Sequence, residues 1–332
     1  MVKQKFKRLI KSKEALLLLI TVVIIIGFYI NNKTFLSRDT LRGTMQAMSI
    51  TGIMAVGVAL LLIGGSIDLS LSMVCLFGGI VCASLIKLGV PWGIAIVVTL
   101  IVGAAIGAIN AFLIAKLGMM PFIATIAVSS CIQGLTLGVT KAQPVSVAVT
   151  SFFWGAKSLF GIFPYPFVIM AALLVIYGLI LSKTRFGRNI YLVGGNMNAA
   201  RLAGVNPVKI RSILYINSGL MSALAGVVLT SRMRTAMATS VSDAQMDAIT
   251  AAILGGVAFT GGSGGMASCF IGILMLNFFN TGLSSLAIES YWTTITSGIL
   301  LIVALTVDFA SEKSRAKELR SEVKPVKGGV RQ

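Results

Sequence analysis

The chain contains no histidine. That absence removes Ser-His-Asp and Cys-His nucleophile pairs, HExxH zinc sites and histidine proton relays. Charge is scarce as well. Only 11% of residues are Asp, Glu, Lys or Arg, where a soluble domain carries about 25%. Acidic residues are scarcest, 10 against 28 basic ones, for a net charge of +18. Cysteine is limited to Cys75, Cys82, Cys131 and Cys269, all inside apolar runs and none at CxxC or other metal-ligand spacing. They read as small core residues of helices. No metal site and no covalent catalysis are expected.

Apolar residues dominate what remains. The hydrophobic fraction is 56% and the mean hydropathy +0.94, so this surface cannot face water on all sides. The class expected is an all-α polytopic membrane protein. Ten apolar segments, near 15–30, 44–63, 69–86, 93–115, 122–139, 165–182, 212–230, 245–258, 266–283 and 291–309, are long enough, or nearly so, to cross a hydrocarbon layer of about 30 Å. The eighth is short and reads as a half-span or re-entrant helix. An eight-span arrangement, with two segments merged or buried, is the alternative. The first segment follows a basic stretch like a signal peptide, but Asn31, Asn32, Lys33 and Thr34 offer no small-residue cleavage site. It reads as a retained span.

The basic residues give the orientation. Six lie in 1–14, one at Lys116, six in 183–211 and seven in 312–332. With ten spans and both termini cytoplasmic, these 20 face the cytoplasm and eight face outside, as the positive-inside rule requires. The same placement, between apolar blocks, argues against nucleic acid as the partner of the positive charge. The domains expected are a basic cytoplasmic N-terminus (1–14), a membrane domain (15–309) with a cytoplasmic loop at 183–211, and a solvated tail (310–332). The external segment 140–164 carries Phe152, Phe153, Trp154 and Phe160, which suit an aromatic interfacial belt or a docking edge.

Three polar islands interrupt the apolar pattern. In LLIGGSIDLSLSM (61–73), Gly64 and Gly65 break a helix and Ser66 or Asp68 is placed to cap the next. Asp68 at a membrane centre costs about 2.5–3.5 kcal/mol, which its apolar neighbours roughly offset. It therefore belongs either at the cytoplasmic face or partway in, as part of a path or gate. The second island, ILGGVAFTGGSGGMASCFIG (253–272), has seven glycines. GVAFTGGS has Walker spacing but Gly262 stands where lysine binds phosphate. GSGGMA lacks the strand before it and the acid about 20 residues later that a dinucleotide site needs. A flexible break between helices fits better. Its pattern loosely echoes the first island, as internal repeats do in transporters. In the third, GGNMNAARLAGVNPVKIR (194–211), Asn196 caps a short helix that ends at Gly204, with Pro207 just beyond. Such a helix is too short to stand alone in water. Ala199, Ala200 and Ala203 give it a low profile suited to a groove, and Arg201 adds a charge; a basic loop lying on anionic lipid is the other reading.

Taken together, IGGSIDLS (63–70), TRFGRNIYLVGGNMNAARLAGVN (184–206) and DAITAAILGGVAFTGGSGG (247–265) resemble the permease subunits of ribose-type ATP-binding-cassette importers. That broad family includes xylose, galactose, allose and autoinducer-2 permeases. The resemblance runs from about residue 41 to 308. Two departures stand out: Leu71-Ser72-Met73 where the family has a Val-Gly-Ser element, and Thr250 where it has alanine.

The resemblance implies a bacterial inner-membrane permease, paired with a second permease chain. Two ATPase subunits would dock inside, holding ATP and Mg, and a substrate-binding protein outside. This chain would bind no cofactor itself. The resemblance also implies a coupling helix, matched at Gly195, Asn196, Ala199, Ala200, Arg201, Leu202 and Gly204. The path or gate residues expected are Gly64, Gly65, Asp68, Ser70, Asp247, Gly255, Gly256, Gly261 and Gly262. The solute expected is a monosaccharide or sugar-like molecule moved inward. The rival reading is an ion-coupled secondary transporter using Asp68 and Asp247. Asn277, Asn280 and Trp292 lie on late helices, where they line a pore or simply pack.

Overall fold

Small polar residues and prolines set many of the helix starts. Ser37 Oγ accepts from Thr40 N at 3.3 Å, Thr184 Oγ1 from Gly187 N at 3.0 Å, and Asn206 Oδ1 from Lys209 N at 3.1 Å. Pro121, Pro166 and Pro207 sit in first turns, where a missing N–H loses no helical bond. The computed structural model describes residues 13–240 and 244–322. Most of the expected basic N-terminus and the end of the tail lie outside them. The helices are α1 (Lys13–Asn31), α2 (Arg38–Ile63), α3 (Leu71–Lys87), α4 (Trp92–Ala111, extended by a π-turn to Lys116), α5 (Pro121–Thr140), α6 (Tyr165–Lys183), α7 (Arg185–Gly195), α8 (Met197–Leu202), α9 (Pro207–Met233), α10 (Ala244–Leu254), α11 (Met266–Ser285) and α12 (Ser290–Glu322).

Every apolar segment expected from sequence is a helix. Among the described residues, six helices are long and apolar enough to cross a membrane: α2, α4, α5, α6, α9 and α11. The apolar parts of α1, α3, α10 and α12 are shorter. At eleven residues, α10 is about 16 Å long, well short of the roughly 20 residues that span a bilayer. Its first described turn lies against α3, where Gln245 N donates to Ser72 Oγ at 2.8 Å. Its eleven described residues are shorter than a full span, in keeping with the short eighth segment. The last helix continues to Glu322, past the Phe309 boundary expected for the membrane domain.

Burial sorts the helices into an inner and an outer set. The most apolar stretches of α2 and α9 are 83% and 67% buried, against 28% for α4 and α5 and 22% for α6. The outer set turns large apolar side chains outward, such as Ile101 and Ile109 on α4 and Val175 and Ile176 on α6. That inversion suits a hydrocarbon solvent. Contact between helices there rests on close packing of small residues. Gly103 and Gly107 on α4 let its backbone lie against Gly219 and Tyr215 of α9, with no room for a Cβ.

The connections gather at two ends. At one, Asn32 Nδ2 donates to Ser285 O (2.8 Å), Arg38 Nη2 donates to Gly161 O (2.8 Å), and β1 (Val145–Ser146) pairs antiparallel with the strand Thr235–Ala236. At the other, Gly262 N donates to Ile63 O (2.8 Å) and Phe259 N to Asp308 Oδ2 (3.0 Å). Each bond joins segments that ten alternating spans assign to one side.

Candidate translocation path and coupling surface

The IDLS island is a loop held down by one face of α9. Arg211, Tyr215 and Ser218 follow one another at helical spacing and grip successive residues of it. Arg211 Nη2 donates to Gly65 O at 2.8 Å, and Tyr215 Oη donates to Ile67 O at 3.0 Å and meets Ser66 Oγ at 2.5 Å. Ser218 Oγ donates to Asp68 Oδ2 at 2.9 Å. The other carboxylate oxygen, Asp68 Oδ1, accepts from Ser70 N (2.8 Å) and Ser70 Oγ (2.6 Å), and Asn110 Nδ2 on α4 donates to Ser70 Oγ at 2.9 Å.

Asp68 is 2% exposed and lies level with Ser218, eleven residues past the first residue of α9. That is about 16 Å along the helix axis, partway into the bundle. Hydrogen bonds to a charged group contribute about 1.5–3 kcal/mol each. The three short bonds on one carboxylate, with a longer one from Asn110 Nδ2 at 3.5 Å, therefore outweigh the insertion penalty of roughly 2.5–3.5 kcal/mol. The capping expectation is corrected. The N-cap of α3 is Ser70, which makes no side-chain capping bond. Ser66 is committed to α9, and Asp68 bonds the turn ahead of the helix and α9.

The second island closes over the first. The chain leaves α10 at Leu254 and turns through Gly255, Gly256, Gly261 and Gly262 before α11. Gly262, at φ +73°, delivers its amide to the last carbonyl of α2, Ile63 O. Gly194, at the end of α7, packs against both. A Cβ there would overlap the Ile63 carbonyl oxygen and stand 2.8 Å from Gly262 N. Gly261 has the same closeness to Gly65, whose Cα would be 2.8 Å from an added Cβ. The break expected between helices is present, but it is packed backbone to backbone, where flexibility was expected. All three islands meet at one point.

The helix α8 leads away from that point. Asn196 Oδ1 accepts from Asn198 N and Ala199 N, both at 3.0 Å. At the far end Gly204 adopts φ +79°, and Val205 N closes back on Ala200 O at 2.9 Å. The cap and glycine stop are as expected. The low-profile surface is corrected: Ala200 is fully buried against the chain's own core, so Ala199, Arg201, Leu202 and Ala203 form the outward face. Leu202 is 91% exposed. The preceding helix α7 was not anticipated. Its signals were Thr184 as cap and Ile190 and Val193 at i, i+3, which are the residues it buries.

A cavity of about 720 Å³ opens at the opposite end, beside the 140–164 loop. It lies between the first turns of α2 and α10 and the last turns of α9 and α11, and Asp247, Asn277 and Asn280 line it. Trp292 does not; it is half exposed beside Tyr291. The expected path residues thus divide. Asp247 belongs to the cavity, while Gly65, Gly261 and Gly262 meet Gly194 at the glycine junction; Gly64 packs instead on Leu214 of α9, Gly255 on Ser268 of α11, and Gly256 only turns the chain, at φ +91°. Between the cavity and the junction α2 is sealed: its apolar side chains from Ile53 to Ile63 are at most 2% exposed.

The 140–164 loop keeps little of its aromatic surface. Phe152 is fully buried, Phe153 lies under the Arg234 guanidinium (4.6 Å), Trp154 is half-buried, and Phe160 alone of the four stands out at 86% exposure. Of the two sequence departures, Ser72 has a visible role in receiving the first turn of α10. Nothing in the structure explains Thr250, whose buried hydroxyl has no partner among the described residues.

A family model described as "Branched-chain amino acid transport system / permease component" matches residues 40–305. The chain belongs to this permease family. The permease is 35% identical over 303 residues to the ribose import permease protein RbsC of Escherichia coli (strain K12), covering 90% of this chain and 92% of that one. It is 34% identical over 289 residues to RbsC of Bacillus subtilis (strain 168), covering 86% and 89%. The L-arabinose transport system permease protein AraH of Escherichia coli (strain K12) is 33% identical over 300 residues, covering 90% and 91%. These relatives place the permease in the ribose-type group that the three islands indicate. No solved structure matches the chain.

Proposed function

We propose that this permease forms the membrane passage of a bacterial inner-membrane importer and moves a monosaccharide or similar polar solute inward. Alternating access is driven by ATP bound with Mg on separate ATPase subunits, so this chain performs no covalent chemistry. The single observation that carries the reading is the junction of Gly194, Ile63 and Gly262 beside α8. An exposed helix suited to an ATPase groove follows Gly194 after only Gly195 and Asn196, beside the two breaks that would close the path. The sugar relatives support the solute class, and the distribution of basic residues supports a cytoplasmic α8 end.

The remaining partners follow from that orientation. A substrate-binding protein docks at the 140–164 end, above the cavity. A second permease chain, identical or related, completes the passage across the apolar outer surface. Binding of ATP shifts the pair between two global states, and the shift equals the difference in its affinity for them. At α8 the shift acts on the glycine junction, and through Arg211, Tyr215 and Ser218 on the IDLS loop.

Reconstitution tests this. Vesicles holding the permease with its ATPase and binding protein take up sugar when ATP is supplied, and a proton or sodium gradient alone gives none. Uptake by this chain alone, driven by an ion gradient, would overturn the importer reading in favour of the ion-coupled one.

A further inference from the structure

The cavity at the 140–164 end has a ligand chemistry of its own. Its volume, about 720 Å³, falls within the roughly 300–1,000 Å³ of small-molecule sites. Asn277 and Asn280 lie on one face of α11, and Thr281 beside them takes a 3.2 Å bond from Thr44 of α2. Asp247 and Arg232 add one charge of each sign. Asn280 Oδ1 is buried with no hydrogen-bond partner among the described residues. It is an acceptor in want of a donor, and a hydroxyl group supplies one. No described lining residue is aromatic, so there is no ring on which the C–H face of a sugar can rest.

We propose that this cavity is a weak binding site for a neutral polyhydroxylated solute. Asn280 Oδ1 accepts a hydrogen bond from one of its hydroxyls and Arg232 donates one to it. The balanced charges favour a neutral ring over an ionised sugar acid. The missing aromatic platform keeps affinity low, which a transport path requires: binding favourable enough to enter and weak enough to leave. The site thus makes a second selection after any binding protein. This proposal rests on the importer reading for its role, but its binding claim is separable from it.

The test is cysteine protection in the full-length permease in membranes. Cys131, the exposed native thiol, is replaced by serine, and Ser284→Cys places a thiol on the cavity wall. A membrane-impermeant maleimide is added from the 140–164 side, with excess D-ribose, L-arabinose, D-xylose or sodium gluconate. At least one neutral sugar slows labelling, and gluconate does so much less. Adding Asn280→Leu leaves the sugar-free labelling rate in place, showing the cavity intact, while protection weakens by about tenfold in apparent affinity, as expected for the loss of one hydrogen bond. Absence of protection by all three sugars, equal protection by gluconate, or undiminished protection with Asn280→Leu overturns the proposal. Protection without ATP-driven uptake would instead count against the importer reading.

Discussion

The amide of Gly262 donates to the carbonyl oxygen of Ile63 at 2.8 Å, joining the loop after α10 to the last residue of α2. Two helix ends separated by nearly 200 residues of sequence are thereby tied backbone to backbone. Gly194 closes the contact from a third side. An element that moves Gly194 must move both ends or part them. In the proposed mechanism, this contact is what lets the six-residue helix α8 act on the inner closure of the path.

Gly194→Ala is expected to break this junction. Its Cβ has no space between Ile63 O and Gly262 N, and overpacking of this kind costs about 1–3 kcal/mol. The neighbouring Gly195→Ala meets nothing nearer than 3.9 Å and serves as the control. Thermal unfolding of the purified chains in detergent should show a lowered midpoint for the first and none for the second. Equal midpoints would show that the junction is looser than described.

Asp68 should matter for its oxygens more than for its charge. Asp68→Ala leaves the Ser70 amide and the Ser70 and Ser218 hydroxyls without their acceptor, a loss of about 1–3 kcal/mol for each buried group left unpaired. Asp68→Asn keeps an acceptor for Ser70, and the Ser218 hydroxyl can turn to accept from the new amide. It should retain ATP-driven uptake where alanine does not. Uptake abolished by both, with the asparagine chain as stable as the parent, would point to a carboxylate role such as ion coupling.

Tyr215 tests the grip of α9 on the loop. Tyr215→Phe removes the bonds to Ile67 O and Ser66 Oγ while keeping the buried ring. The expected loss is about 1–3 kcal/mol of stability, with faster hydrogen exchange confined to residues 65–70. Unchanged exchange there would mean that Arg211 and Ser218 hold the loop without it.

The cap of α8 should be tunable. Asn196→Ala removes the acceptor for two amides and costs about 0.5–2 kcal/mol, whereas Asn196→Asp preserves it. ATPase affinity, measured by titrating labelled ATPase onto the permease, should fall for alanine and hold for aspartate. The reverse order would show that the amide group, and not the cap, is what the ATPase reads.

Much of this was legible in the sequence because apolar runs, caps and glycine stops act locally. The ten segments, the half-length α10 and the Asn196–Gly204 helix all follow from residues within a turn or two. The misses are tertiary. Nothing near Asp68 announces Ser218, about 150 residues on; the clue was the spacing of Arg211, Tyr215 and Ser218 along one face of a long helix. Ala200 looked equivalent to Ala199 until packing turned it inward. The glycine islands read as flexible because glycine permits both freedom and close approach, and sequence does not say which is used.

The outward face of α8 gives the most direct test of the account. The double variant Arg201→Glu, Leu202→Ala changes two exposed side chains with no part in the internal packing. It should insert and unfold like the parent chain. ATP-driven sugar uptake in vesicles with the ATPase and binding protein should fall to background. Uptake at the parental rate, with the ATPase still bound, would contradict the claim that α8 carries the motion of the ATPase to the glycine junction.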